Sequence, residues 1–232
     1  MNRLALLASA LALALSAHAG DTPPASHAAA RTIVLVRHGN YLDDASVPEM
    51  PGPHLSPLGI AQAELAAARI AGMPEHFDAL RVSPMQRARD TAAAIAPDFP
   101  GRRFTVVDDL AECTPPTRRT EVTAHEKPED MAACQARLDR VFARYFVPAT
   151  GHEEHELLVC HGNVIRYLVT RALGVDTRAW LEMSVGNASL TTIRVEADGR
   201  FKVIAVGDVG HIPPNLRSGA TGDPPRTLAI PR

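Results

Sequence analysis

The sequence predicts an α/β fold in three layers: a mostly parallel, doubly wound sheet with helices on both faces. Runs rich in β-branched residues alternate with amphipathic segments along most of the 232 residues, a pattern typical of a parallel sheet covered by helices. Two runs end in almost the same letters, "LVRHGN" at residues 35–40 and "LVCHGN" at residues 158–163. The turn signal Asp198-Gly199 separates two further runs and predicts a closing hairpin.

The first half of the chain predicts alternating strands and helices, and its first helix is the best marked. Ser56 stands at the cap position, Pro57 lies in the first turn, and Gly72 follows the last turn. The predicted elements are a strand at residues 31–37, a helix at 56–72, a strand at 77–83, a helix opened by Ser83-Pro84, and a strand at 104–109.

The second half predicts a long amphipathic helix, a fourth strand, a further helix and the hairpin. Their residues are 127–147, 155–160, 163–174 and 189–208. In open α/β sheets, ligands bind beyond the carboxyl ends of the strands. The residues that follow the first and fourth strands are therefore the first candidates for a site.

The N-terminus predicts export, because residues 1–19 read as a secretory signal peptide. A basic start precedes an uncharged apolar run, Leu4 to Ser16, and a small-x-small triplet follows. We therefore expect a periplasmic or secreted protein without stable membrane insertion once the signal is cleaved. The remaining chain divides into a linker at 20–30, one folded domain at 31–211 and a Pro/Gly-rich tail at 212–232.

Composition and charge exclude some function classes. The chain is 46% hydrophobic and 22% charged, as is usual for a globular protein. Its formal net charge of -2 implies no large basic surface, so we expect no nucleic-acid partner.

The three cysteines allow at most one bridge within the chain. Cys160 ends an apolar run, which predicts a buried thiol. A disulfide between Cys113 and Cys134 fits the odd count, but the sequence alone leaves it open.

The histidines that end the two similar runs are the strongest candidate functional residues. His38 and His161 each follow a predicted parallel strand, so they can form two walls of one pocket. Each precedes a glycine, which lets the backbone turn sharply and approach a ligand. A helix begins directly after His161, so its free N–H groups can face an anion.

Two arginines add positive charge to the same place. Arg37 precedes His38, and Arg87 lies just after the strand that ends near residue 83. Arginine forks match phosphate oxygens, and a histidine ring nitrogen can attack phosphorus. A carboxylic acid must then protonate the leaving oxygen. Glu112 is the candidate, and the competing loop carboxylates are Asp108, Asp109 and Glu121.

Five motifs in one order make the pattern specific. "VRHGN", "LSPLGIAQAE", "SPMQRARDTA", "AECTPP" and "CHGNVIR" resemble the histidine phosphatase superfamily, which includes cofactor-dependent phosphoglycerate mutases. The resemblance covers about residues 32–210. Within the superfamily, "CHGNVIRYLVTRAL" and "NASLTTI" are most similar to the mitochondrial phosphoglycerate-mutase-like Ser/Thr phosphatases.

The resemblance implies an enzyme, a phosphomonoester hydrolase that works through a phosphohistidine and needs no metal or other cofactor. It makes His38 the nucleophile and Glu112 the acid. The residues implied to bind the phosphoryl group or line its pocket are Arg37, Asn40, Ser83, Arg87, His161 and Gly162. The expected substrate is a phosphorylated small molecule or a phosphoprotein. Two alternatives remain: a non-catalytic protein that binds a phosphate ligand, and a phosphotransferase of the phosphoglycerate mutase type.

Overall fold

A computed structural model describes residues 27–223, apart from positions 43, 45, 75 and 222. The predicted signal peptide therefore lies outside the described residues. The strands are β1 Ala28–Ala29, β2 Arg31–Arg37, β3 Ala79–Val82, β4 Thr105–Val106, β5 Ala149–Thr150, β6 Glu154–Cys160, β7 Leu190–Val195 and β8 Phe201–Asp208. The helices are α1 Pro57–Ala71, α2 Gln86–Ile95, α3 Pro128–Tyr145 and α4 Gly162–Leu173.

The main sheet has six strands in the order β4-β3-β6-β2-β7-β8. The first four strands are parallel, and β7 and β8 are antiparallel to their neighbours. The predicted mostly parallel sheet with a closing hairpin is confirmed. The short strands β1 and β5 pair separately.

The two similar runs lie side by side at the centre of this sheet. In the parallel pairing of β2 with β6, Leu35 is opposite Leu158 and Arg37 is opposite Cys160. The two runs are thus in register letter by letter. The N–H of His38 then donates to the carbonyl oxygen of Cys160 at 3.0 Å. The repeated strand ending therefore places both histidines side by side at the carboxyl ends of the two central strands.

Helices cover both faces, as predicted. Val34 and Val36 pack into the core beneath α1 and α2, whereas Ile33 and Leu35 pack into the core beneath α3 and α4. This alternation follows from the two-residue period of a strand. It explains why β2 is apolar along its length: both of its faces are buried.

Several element ends differ from the sequence-based prediction, among them those of β4 and α2. The strand predicted at 104–109 has only two residues in the ladder, and Asp108–Leu110 form a 3-10 turn. The second helix begins at Gln86 rather than directly after Ser83. Between them, the N–H of Met85 donates to the Ser83 hydroxyl at 3.3 Å, and the same hydroxyl contacts the ring of His161, a partner far away in the sequence.

Ordered packing extends beyond both predicted domain boundaries. β1 lies within the predicted linker and pairs with β5. On the other side, Ile212 and Ser218 are 1% and 5% exposed, and the carbonyl oxygen of Gly219 accepts a hydrogen bond from Arg37. The first part of the predicted tail is therefore packed against the domain.

Candidate active site

His38 lies at the end of β2 with its ring buried. Its Nδ1 lies 2.7 Å from the carbonyl oxygen of Gly39, and its Nε2 accepts a hydrogen bond from Nε of Arg87 at 3.2 Å. A carbonyl oxygen can only accept, so Nδ1 carries the proton. The lone pair of Nε2 therefore points toward the arginine and away from the backbone.

The surroundings of His38 favour its neutral form. Burial lowers the pKa of His38 well below its ordinary value, and the positive charges of Arg37 and Arg87 lower it further. Only a neutral imidazole has a free lone pair with which to attack phosphorus.

His161 faces His38 across the site, with the ring centroids 5.1 Å apart. Its Nε2 lies 2.7 Å from Oγ of Ser83. Its Nδ1 is buried, has no hydrogen-bond partner among the residues that the structure describes, and lies 4.0 Å from Oε2 of Glu112. Burial lowers the pKa of His161 well below its ordinary value, and His38 adds to this effect.

Arg37 is fixed from two distant segments. Its Nη1 donates to the carbonyl oxygens of Val185 and Gly219, the latter at 2.8 Å. Its buried Nε has no partner within the described part of the chain. The guanidinium is thus anchored at one end and has a donor left for a ligand at the other.

Arg166, the last residue of the motif "CHGNVIR", is a further cationic residue of this site, although the resemblance assigns it no role. Nη2 of Arg166 and Nε of Arg37 would each lie 3.4 Å from a Cβ placed on Gly162, so both guanidinium groups pack over the start of α4. Nε of Arg166 is buried and has no described partner. The sequence signal was its position four residues after Gly162, because residues four apart share one helix face.

Glu112 carries the carboxyl group that the sequence predicts as the acid. Burial raises the pKa of Glu112 above its ordinary value, although the charges of Arg37 and Arg87 oppose this shift. A raised pKa lets the group hold a proton that it can give to a leaving oxygen. Of the competing carboxylates, Asp109 pairs with Arg140 and Glu121 pairs with Arg119, whereas Asp108 is exposed and lines a cavity together with Glu112.

The predicted pocket-lining residues have structural partners. Asn40 accepts a 2.6 Å hydrogen bond from Oγ of Ser56, the cap residue of α1, and so secures the start of that helix. Ser83 holds His161, and Gly162 is covered by the two guanidinium groups. Their contact with a substrate stays a prediction.

The sequence pattern of the histidine phosphatase superfamily (branch 1) matches residues 33–116 and 114–208. The chain belongs to this superfamily. The predicted histidine phosphatase is therefore confirmed at the level of the family, and all five predicted catalytic residues lie within the matched ranges.

Curated relatives of this histidine phosphatase share about a third of its residues. It is 36% identical over 192 residues to the Caenorhabditis elegans protein named serine/threonine-protein phosphatase Pgam5, mitochondrial. The match covers 81% of this chain and 66% of that relative. The human protein of the same name is 35% identical, with 81% of this chain and 65% of the relative covered. The chain thus spans about two thirds of the length of these relatives.

Solved structures support the fold of this histidine phosphatase. Plasmodium falciparum phosphoglycerate mutase superposes with a TM-score of 0.56 at 25% identity, covering 80% of this chain and 95% of that one. Entamoeba histolytica phosphoserine phosphatase, in complex with 3-phosphoglyceric acid, gives 0.56 at 20% identity, with 78% and 99% covered.

The expectation of a periplasmic or secreted protein is wrong on this comparison, because the matched relatives are named mitochondrial. Residues 1–19 carry a basic residue near the start and no acidic residue, and mitochondrial transit peptides also lack acidic residues. The residues that carried this expectation, 1–19, lie outside the described part. Between residues 27 and 223, none of the described helices has the length and apolar character to cross a membrane.

Proposed function

We propose that this histidine phosphatase hydrolyses phosphomonoesters through a phosphoenzyme on Nε2 of His38, without a metal ion. One observation carries the proposal. Nε of Arg37, Nδ1 of His161 and Nε of Arg166 are all buried, and none has a hydrogen-bond partner among the described residues. Buried polar groups are normally paired. Two unpaired guanidinium donors and a buried imidazole nitrogen around the start of one helix therefore suit an anion with several oxygens.

In the first step, the lone pair of Nε2 on His38 attacks phosphorus. A nitrogen–phosphorus bond forms as the bond to the leaving oxygen breaks, and Glu112 gives that oxygen its proton. Arg87, which bonds Nε2 in the free protein, moves its donor to a phosphoryl oxygen. The cationic groups stabilise the negative charge as it redistributes over the phosphoryl oxygens.

In the second step, water attacks the phosphohistidine. Glu112, now a carboxylate, takes a proton from the water, the nitrogen–phosphorus bond breaks, and its electron pair returns to Nε2 of His38. Inorganic phosphate leaves and Glu112 is again protonated, so the cycle closes without any other reactant.

The substrate class that we propose is an alkyl phosphomonoester of the serine or threonine type. A carboxyl group with a raised pKa is useful when the leaving group is an alkoxide, which departs poorly without a proton. The names of the relatives, serine/threonine-protein phosphatases, support the same class.

The direct experiment follows phosphate release by the purified protein from phosphoserine, a phosphoserine peptide, 4-nitrophenyl phosphate and 3-phosphoglycerate. We expect release from the alkyl esters and from the nitrophenyl ester. Binding without release would favour the non-catalytic alternative. Conversion of 3-phosphoglycerate to its isomer, without release, would favour the mutase.

A further inference from the structure

The loop that carries Glu112, residues 111–116, is held through its backbone. We call it the acid loop. Three side chains from other elements donate to its carbonyl oxygens. Nη2 of Arg137 lies 2.8 Å from the carbonyl oxygen of Ala111 and 3.3 Å from that of Glu112. Nδ2 of Asn163 lies 3.1 Å from the carbonyl oxygen of Cys113. Nε1 of Trp180 lies 3.2 Å from the carbonyl oxygen of Pro115 and 3.1 Å from that of Pro116.

Two side chains of α3 hold the acid loop on both sides of Glu112. Cys113 and Cys134 form a disulfide with Cα atoms 5.8 Å apart, which settles the bridge that the sequence left open. Arg137 follows Cys134 by three residues, so the two side chains leave α3 on the same face. Arg137 anchors the backbone at Ala111 and Glu112, and Cys134 anchors Cys113.

The carboxyl group follows this backbone closely. Its Oε1 accepts a 3.3 Å hydrogen bond from the N–H of Cys113, the residue that carries the bridge. Its Oε2 reaches His161 only at 4.0 Å. The direction of the carboxyl group therefore depends mainly on where the backbone at Cys113 is placed.

We infer that the Cys113–Cys134 disulfide and Arg137 position Glu112 for proton transfer, and that reduction of the bridge weakens this transfer selectively. The inference rests on the proposed role of Glu112 as the acid. The reductant is a dithiol: it loses two electrons and forms its own disulfide, while Cys113 and Cys134 become thiols.

The nucleophile His38 and the guanidinium of Arg37 make their hydrogen bonds outside the acid loop. His38 is held by Gly39 and Arg87, and Arg37 is held by Val185 and Gly219. Reduction should therefore leave attack on phosphorus largely intact. The defect should appear only where the leaving oxygen needs a proton.

The test compares kcat/KM on phosphoserine with kcat/KM on 4-nitrophenyl phosphate. The proteins are the oxidised enzyme, the enzyme after a dithiol, and the double variant Cys113→Ser with Cys134→Ser. Thiol titration in denaturant should give one thiol before reduction, that of Cys160, and three after it. We expect about a tenfold or greater loss on phosphoserine, within the range of general acid catalysis, and little change on the nitrophenyl ester.

Arg137 provides a test that needs no change in redox state. Arg137→Met should reproduce the loss on phosphoserine alone, and Arg137→Lys should restore part of it. Arg140→Met is the matched control, because Arg140 lies on the same helix and pairs with Asp109 on the surface. Circular dichroism checks that each variant is folded.

Three results would overturn the inference: three free thiols in the protein before reduction, equal losses on both esters, or no loss at all. Glu112→Gln separates these failures from a failure of the proposed function. If that variant loses activity selectively on phosphoserine but the reduced enzyme does not, only the positioning role is wrong. If Glu112→Gln shows no such selectivity, the proposed acid itself is wrong.

Discussion

Nε of Arg87 donates a hydrogen bond to Nε2 of His38 at 3.2 Å, so the guanidinium lies directly at the nitrogen that we propose to attack phosphorus. The opposite nitrogen of the ring bonds the carbonyl oxygen of Gly39. These two contacts orient the ring, and the lowered pKa of His38 favours its neutral form. A phosphoryl group entering between the two side chains would take over the arginine donor and meet the lone pair.

The first prediction concerns His38. His38→Ala should abolish hydrolysis of both alkyl and aryl phosphates, because it removes the nucleophilic nitrogen. Rapid quench of the unaltered enzyme should trap a phosphoenzyme that is stable in base and labile in acid. His152→Ala is the control, since His152 is an exposed histidine just before β6, at the opposite end of that strand from His161. Substantial activity in the His38 variant would remove this residue from the role.

The second prediction concerns the acid. Glu112→Gln cannot donate the proton, so kcat/KM should fall by about 10²–10⁴-fold on phosphoserine and much less on 4-nitrophenyl phosphate. Similar losses on the two esters would point to another role for Glu112, and Asp108 would then be the next residue to substitute.

The pH dependence gives an independent measurement of both groups. Burial raises the pKa of Glu112, and only its protonated form is an acid, so activity on phosphoserine should fall as pH rises through that pKa. Burial lowers the pKa of His38, and only its neutral form attacks, so activity on both esters should fall as pH drops through that lower pKa. Glu112→Gln should lose the alkaline limb on phosphoserine and keep the acid limb.

The third prediction concerns Arg166. Arg166→Met removes a guanidinium that lies over the Trp180 ring and whose buried Nε has no hydrogen-bond partner among the described residues, so the loss should appear in substrate binding. We expect kcat/KM to fall by about 10- to 100-fold, as for one hydrogen bond to a charged group. Arg171→Met is the matched control, because Arg171 lies on the same helix and pairs with Asp139 at 3.4 Å. Equal effects of the two substitutions would contradict a role in the site.

The fourth prediction concerns metals. Arg37, Arg87 and Arg166 supply the positive charge that a metal ion provides in other phosphatases, and His161 adds a polar ring beside them. EDTA should therefore leave the rate of phosphoserine hydrolysis unchanged. Loss of activity in EDTA, followed by recovery on adding a divalent ion, would refute this part of the mechanism.

The fifth prediction concerns Gly219, which has a φ of +76°. A Cβ there would lie 2.1 Å from Oδ1 of Asn187, whose Nδ2 bonds the carbonyl oxygen of His38. Gly101 has a φ of +77° but open space around it. Gly101→Ala should cost about 1–2 kcal/mol of stability and leave kcat/KM unchanged. Gly219→Ala should lower kcat/KM as well, because Arg37 and His38 are displaced, and urea unfolding with initial rates measures both effects.

Local signals explain why much of the fold followed from the sequence. As predicted, Ser56 caps the start of α1 and Gly174 ends α4. Such ends can be predicted because the groups that satisfy a helix end are its immediate neighbours in the sequence. The length of β4 was overestimated. β4 is an edge strand, and the number of its residues that pair depends on the neighbouring strand β3 rather than on its own composition.

The sequence by itself determined that two histidines meet. Continuously apolar runs are typical of parallel strands buried on both faces, and in the parallel pairing of β2 with β6 their shared ending puts His38 and His161 at the carboxyl end of the sheet. Tertiary structure alone decided the rest of the site. Arg37 is held by a carbonyl 182 residues away, Ser83 orients a ring 78 residues away, and α3 anchors the loop of Glu112. Such contacts depend on how helices, strands and loops pack against one another. That packing is set by the whole core rather than by any local sequence pattern.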